Sequence, residues 1–281
     1  MTIPPCAFDI CLSNRCNMKC RYCYFRAVNR GKPRFLAFDQ VARGVDIYLS
    51  HARPSQIDKI SLAGGEPFLN YPLLLKIVDY IRAKAGIKPD IEIFTNGTLL
   101  TSERADELLK RRIKFVLSID GNREINDHNR IFHHNPKKSV FDVLMKNIKT
   151  LPGKFLPEIC VGVTFTSETA HRLAESVRFL RSLGFGEVQL NVNLLEIWTE
   201  AGLERLRTGA RELGSYFRSL ARTEMKSFAD FRFGLDYFLL KEETESLDNL
   251  STFREISLSP EGRFYPSGLA STCGSGRGRY C

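Results

Sequence analysis

The sequence predicts an α/β chain, a parallel sheet with helices outside it that can curl into a barrel or part of one. Three observations carry this. Short apolar runs alternate with amphipathic helical stretches six times in a row. Crossovers of that kind are right-handed, so the sheet winds in one sense. The distinctive polar segments, CNMKCRYC, GGEP, TNG and SIDG, each follow a predicted strand, where reactive groups gather in such folds.

The elements run in order. Phe8–Leu12 is the first strand and ends just before the cysteine loop. A helix over Phe38–Ser50 puts Val41, Val45, Tyr48 and Leu49 on one face. Strand two is Ile60–Ala63, followed by GGEP and a helix carrying Leu74, Ile77, Val78 and Ile81 on one stripe. Strand three, Ile91–Phe94, closes on TNGT, and a helix covers Ser102–Arg111. Strand four, Phe115–Ile119, closes on DG. Residues 121–137 read as a long loop before a helix that aligns Val140, Leu144 and Ile148. Strand five is Ile159–Phe165; the next helix stacks Leu173, Val177 and Leu180 and stops at Gly184, a natural C-terminal residue. Strand six is Val188–Val192. The sixth helix, about residues 201–222, repeats Leu203, Leu206, Ala210, Leu213, Phe217 and Leu220. Beyond it the pattern breaks. FADFRFGLDYFLLK reads as a packed aromatic helix or loop, and FREISLSPEGRFYPSG as two short strands about a Pro–Glu–Gly turn. The expected division is 1–222 for the sheet and its helices and 223–281 for a C-terminal extension.

With 281 residues, 43% of them hydrophobic, the chain can bury a sizeable core. No apolar run spans a bilayer, and MTIPPCAFDICLS lacks the pattern of a secretory signal, so a cytoplasmic protein with no membrane partner is expected. The formal charge of +9 includes KRRIK and NPKK. This is read first as a solvated basic surface, then as a surface for an acidic peptide. Nucleic acid ranks last, because no nucleic-acid-binding motif accompanies the charge.

Eight cysteines in a chain of this length and compartment point to metal binding or catalysis rather than a disulfide framework. Cys16, Cys20 and Cys23 crowd one short loop. A disulfide would leave one thiol over. Structural zinc wants four ligands, usually two close pairs; Cys6 or Cys11 would have to supply the fourth, and Cys11 in a strand reads as a small core residue. A four-iron four-sulfur cluster on three cysteines leaves one iron open to a non-protein ligand.

CNMKCRYC, a C-x3-C-x2-C run with an aromatic before its last cysteine, resembles the signature of the radical S-adenosylmethionine (SAM) enzymes. LAGGEPFLN one strand later adds a second motif in the right order. The similarity continues through TNGT and SIDGNREINDHNR, over roughly residues 6 to 195. The resemblance implies a partial (β/α)6 TIM-like barrel with a short C-terminal β-hairpin or twitch-like extension. It also implies a [4Fe-4S] cluster on Cys16, Cys20 and Cys23 whose open iron chelates the amino and carboxylate groups of SAM. Reductive cleavage then yields a 5′-deoxyadenosyl radical that takes hydrogen from substrate, with the hard chemistry carried by the cofactor.

By the same match, Tyr22 lies against adenine; its plainer reading is a packing aromatic. Gly64, Gly65, Glu66 and Pro67 hold the SAM amino group. A strand-to-helix turn with a helix-start proline explains these residues as well, apart from Glu66. Thr95, Asn96 and Gly97, with Ser118, Ile119 and Asp120, offer polar groups for ribose hydroxyls and the methionine carboxylate, although such residues are also common in turns and caps. Arg130 is placed to pair with that carboxylate, against a surface arginine as its alternative. His133 and His134 read as loop residues rather than ligands, and Cys160 as a core thiol.

SIDGNREINDHNR and ISLSPEGRFYPSG resemble the branch with a SPASM or shorter twitch extension, which includes anaerobic sulfatase maturases and ribosomal-peptide maturases. Ser267 stands where that branch usually has a cysteine. Cys273 and Cys281 alone cannot fill an auxiliary cubane cluster, so the tail thiols are either ligands completed from elsewhere or thiols without a cluster. The implied activity is modification of a peptide or protein side chain, with an electron donor such as flavodoxin or ferredoxin. The alternatives are the same chemistry on a small molecule or nucleotide, and a non-catalytic iron–sulfur carrier or zinc-stabilised binding module.

Overall fold

The structure, a computed structural model, describes residues 7–23, 34–52, 59–84, 89–193, 196–220, 255–260 and 262–265. Six strand–helix units run through it. In chain order they are β1 (Ala7–Cys11), α1 (Phe38–His51), β2 (Lys59–Ala63), α2 (Tyr71–Ala83), β3 (Asp90–Thr95), α3 (Ser102–Lys110) and β4 (Ile113–Ser118). Then follow α4 (Arg123–Asn129), α5 (Val140–Thr150), β5 (Ile159–Phe165), α6 (Leu173–Ser182), β6 (Glu187–Val192) and α7 (Glu200–Ser219). The two last strands are β7 (Glu255–Leu258) and β8 (Phe264–Tyr265). The sheet order is β6-β5-β4-β3-β2-β1-β7-β8, parallel throughout except for β8, which returns antiparallel to β7. β1 to β6 lie in sequence order, so the sheet is an open, partial barrel.

Strand alternation explains why helices cover one face. Phe8 and Ile10, Ile60 and Leu62, Ile91 and Ile93, Phe115 and Leu117, and Val161 and Val163 are all fully or almost fully buried. The intervening residues Asp9, Ser61, Glu92 and Lys114 are paired across β1 to β4 and share the other, polar face. Parallel strands covered on both faces would read as continuous apolar runs; these alternate. The helices bury matching stripes, for example Leu74, Ile77, Val78 and Ile81 of α2, each stabilising the fold by roughly 1.5–3 kcal/mol. Side chains of Thr101, Ser139 and Thr199 cap α3, α5 and α7 by accepting first-turn N–H groups. Gly184 ends α6 at φ +94°, a conformation that suits glycine.

Two expectations are corrected. Residues 121–137 are not all loop. They contain α4, whose buried side chains are Ile125, Asn126 and Asn129: Asn122 caps it by accepting from Ile125 N–H, and Asn126 accepts the Asp120 N–H at 3.2 Å. A helix held by hydrogen bonds has no apolar period to read. Cys160 is half-buried rather than a core thiol, because it alternates with Ile159 and Val161, which take the apolar face of β5. The Pro–Glu–Gly turn does join two antiparallel strands. The first of them, β7, pairs parallel with β1, register Phe8 to Ile256, a long-range pairing that no local pattern announces. The aromatic stretch 228–241 lies outside the described residues.

Candidate functional site

Because β1 to β6 are parallel, the loops after them share one end of the sheet. The thiol loop follows β1 and is fixed from three sides. After β2, Gly64 and Gly65 adopt φ +89° and +47°, so the chain turns flat against the loop. A Cβ on Gly65 would fall 1.9 Å from the Arg15 carbonyl oxygen, and one on Gly64 2.4 Å from Cys11 Sγ. Only glycine permits that approach. Glu66 N–H donates to the same Arg15 carbonyl at 2.8 Å. Pro67 then opens a short 3-10 turn, Pro67–Asn70.

After β3, Asn96 and Thr98 hold the first cysteine. Asn96 Nδ2 donates to Asn17 Oδ1 at 2.9 Å, and its Oδ1 accepts the Thr98 N–H and hydroxyl at 3.0 and 2.6 Å. Asn17 Nδ2 donates to Thr98 Oγ1 at 2.8 Å. This closed amide–hydroxyl ring flanks Cys16, whose Sγ accepts the Met18 N–H at 3.3 Å. After α4, residues 129–133 run antiparallel to the loop: Lys19 N–H donates to Ile131, Arg21 N–H to Asn129, and His133 N–H to the Asn17 carbonyl. His133 and His134 are exposed loop residues there, and Cys11 is a buried strand residue.

The β4 end supplies the third brace. Asp120, 1% exposed, accepts from three donors: the Tyr22 hydroxyl at 2.7 Å on Oδ2, and Arg130 Nη2 and Thr164 N–H, both at 2.9 Å, on Oδ1. The Arg130 guanidinium lies 5.4 Å from the Tyr22 ring centre. Burial pushes the Tyr22 phenol well above its usual pKa. Ser118 is the half-buried last residue of β4.

The expected site residues therefore converge, but several are already committed to one another. Glu66 is fully buried. Its carboxylate accepts from Phe68 N–H, the Thr95 hydroxyl and Asn96 N–H, and burial raises its pKa despite those bonds. It fastens the turn after β2 to the turn after β3. Asn17, Thr98, Thr164 and Asn129 were not singled out by sequence; single polar residues in turns carry no period or spacing to mark them.

The thiols fit a polynuclear group better than a single ion. Cys16, Cys20 and Cys23 lie close enough that Cys20 and Cys23 raise the Cys16 pKa and Cys23 raises that of Cys20. Burial, the larger cause, pushes Cys16 up to about 12 and Cys20 to about 11. Among the described residues, no three His, Cys, Asp or Glu side chains converge to hold one metal ion, as zinc requires. A cubane instead takes one thiolate per iron. Beside the thiol loop, the buried donors Arg130 Nε and Asn129 Nδ2 lack hydrogen-bond partners among the described residues. Asn129 lines a cleft of about 390 Å³ with Arg21, Tyr22, Cys23, Thr166, Glu168, Asn193 and Glu196. Another hollow, about 290 Å³ beside Ser102 and Phe155, contains none of the motif residues. Cys6, Cys273 and Cys281 lie outside the described residues, and no described helix is long and apolar enough to cross a membrane.

Comparison with known proteins follows the same lines. The family model for the Radical SAM superfamily matches residues 10–180. An uncharacterized protein of Methanocaldococcus jannaschii, MJ0907, is 34% identical over 188 residues, 66% of this chain and 61% of its own length. A GTP 3′,8-cyclase of Stenotrophomonas maltophilia is 39% identical over 90 residues, 32% of this chain and 26% of its own. This chain thus spans less than two thirds of the length of these curated relatives. Among solved structures, anSMEcpe with bound AdoMet is 20% identical with a TM-score of 0.75, covering 95% of this chain and 72% of that one. The same protein with AdoMet and a Cp18Cys peptide gives 0.72, at 20% identity, over 95% and 74%.

Proposed function

Because the chain belongs to the radical SAM superfamily, we propose that it is an enzyme that reductively cleaves SAM at a [4Fe-4S] cluster held by Cys16, Cys20 and Cys23, and that it acts on a peptide or protein side chain. The observation that carries this is the thiol loop itself. Three neighbouring thiols stand on a loop locked to the ends of three strands, and burial disfavours the ionisation of Cys16 and Cys20 unless a metal takes the proton's place. When bound, the cluster and SAM supply hydrogen-atom abstraction from an unactivated carbon.

The chain's own residues bind, orient and shield. The backbone of Gly64 and Gly65, held open by their positive φ, takes the SAM amino group, while Glu66 and Pro67 fix that turn. Arg130 keeps an unpartnered Nε for the carboxylate, and Ser118 and the Asn96 turn stand at neighbouring strand ends. Tyr22 forms part of the cleft wall against adenine, and Asn129 offers a buried amide donor to the nucleoside. Residues 1–222 are the catalytic unit in this reading and 223–281 an extension, with Cys273 and Cys281 candidates for an auxiliary site. A flavodoxin or ferredoxin delivers the electron.

The peptide reading is supported by the fold shared with anSMEcpe, which has been solved with a peptide. A second reading, a small-molecule or nucleotide substrate, is favoured by the stretch 39% identical to a GTP 3′,8-cyclase. Anaerobically reconstituted protein given dithionite and SAM should release 5′-deoxyadenosine, and Cys20→Ala should release none; an active Cys20→Ala refutes the assignment. Peptides that raise this release support the first substrate class, and GTP raising it supports the second.

A further inference from the structure

The Asp120 carboxylate has little left to offer a ligand. It is 1% exposed, Oδ1 already accepts two donors, and Oδ2 accepts the Tyr22 hydroxyl. Its partners lie on three different segments: Tyr22 between Cys20 and Cys23, Arg130 at the C-terminal end of α4, and Thr164 on β5. Arg130 is itself only 5% exposed and lies against the Tyr22 ring. Around this carboxylate the backbone repeats the same attachment, with Arg21 N–H donating to Asn129 and Lys19 N–H to Ile131. Asp120 therefore sits behind the thiol turn, tying it to β5 and α4 and cancelling a buried positive charge next to it.

We propose that Asp120 is a positioning residue for the thiol loop and not a contact for SAM. Acting through Tyr22 it anchors the turn that carries Cys20 and Cys23. Acting through Arg130 it sets the local charge that the cluster experiences. This rests on the cluster assignment above. Charged and hydrogen-bonding groups just outside a ligand set orient the ligands and tune the potential. The nucleotide is left to the groups with open valence, Arg130 Nε and Asn129 Nδ2.

The test uses the full chain, reconstituted anaerobically, as Tyr22→Phe and Asp120→Asn. Tyr22→Phe keeps the ring and removes one hydrogen bond, so it remains informative where Asp120→Asn, which strands a buried cation, fails to fold. Tyr22→Phe is expected to lose iron to a chelator several-fold faster than wild type. Asp120→Asn is expected to shift the cluster midpoint potential upward, because Arg130 is no longer neutralised, without weakening SAM binding. In metal-free protein, urea unfolding of the two single variants and the double variant should show coupling between Tyr22 and Asp120. Wild-type iron loss in Tyr22→Phe overturns the anchoring role. An unshifted potential in Asp120→Asn, with SAM binding weakened tenfold or more, overturns the proposal and makes Asp120 a ligand contact. A wild-type protein that binds no iron refutes the cluster assignment instead.

Discussion

Glu66 Oε2 accepts the backbone N–H of Asn96 at 2.7 Å, across the gap between the turns after β2 and β3. The other oxygen takes the Thr95 hydroxyl at 2.7 Å and the Phe68 N–H at 3.1 Å. A carboxylate that looks in sequence like a ligand group is thus the internal fastener of the turns after β2 and β3. Gly64 and Gly65 can hold their positive φ because Glu66 anchors the chain immediately beyond them.

Glu66→Ala leaves three buried donors without an acceptor, so it should cost about 3–5 kcal/mol. Glu66→Gln, which keeps a carbonyl oxygen, should cost clearly less. Urea unfolding of the two variants checks the order.

Gly65→Ala forces a Cβ to 1.9 Å from the Arg15 carbonyl oxygen at φ +47°. The conformation alone costs about 1–2 kcal/mol, and the backbone contact adds to it. The thiol loop must move, so the variant should unfold earlier on heating and hold less iron than wild type after identical reconstitution.

Asn17→Ala opens the ring of hydrogen bonds between Asn17, Asn96 and Thr98 that flanks Cys16. A loss of about 1–3 kcal/mol is expected from the partners left unsatisfied, together with faster iron loss. Thermal unfolding and chelator kinetics measure the two effects separately.

In metal-free protein, Cys16 and Cys20 titrate near 12 and 11 instead of 9.0. At neutral pH their thiolate content lies about a thousandfold and a hundredfold below that of an ordinary thiol, one power of ten per unit. Alkylation should therefore be slow at pH 8 and accelerate only as pH climbs toward 11–12. A pKa raised on folding gives stability that is fully present below the unfolded value and lost as pH rises through the folded one. The metal-free fold should accordingly weaken above about pH 9. Mass-resolved alkylation across pH 7–11 reads the first effect, and urea midpoints read the second.

The scaffold was largely legible because the forces that build it are periodic. Ile60 and Leu62, Ile91 and Ile93, and Leu74, Ile77, Val78 and Ile81 announce strand and helix by spacing alone, and the site segments lie where those strands end. What stayed hidden depends on single contacts or on distance along the chain. α4 has one buried apolar side chain, Ile125, and is otherwise held by Asn122 and Asn126. The pairing of β7 with β1 joins residues more than 240 positions apart. The motifs identified Glu66 and Asp120 as polar residues near a ligand, but spacing cannot show that each carboxylate already accepts from three protein donors.

Three thiolates holding a four-iron cluster, with one iron left for SAM, have a spectroscopic signature. The most direct measurement is the electron paramagnetic resonance spectrum of anaerobically reconstituted, dithionite-reduced protein, recorded with and without SAM. The expected result is a [4Fe-4S]⁺ signal that changes on adding SAM and is missing from Cys20→Ala. A wild-type spectrum that SAM leaves unaltered, or a Cys20→Ala protein with the same SAM-responsive signal, would contradict it.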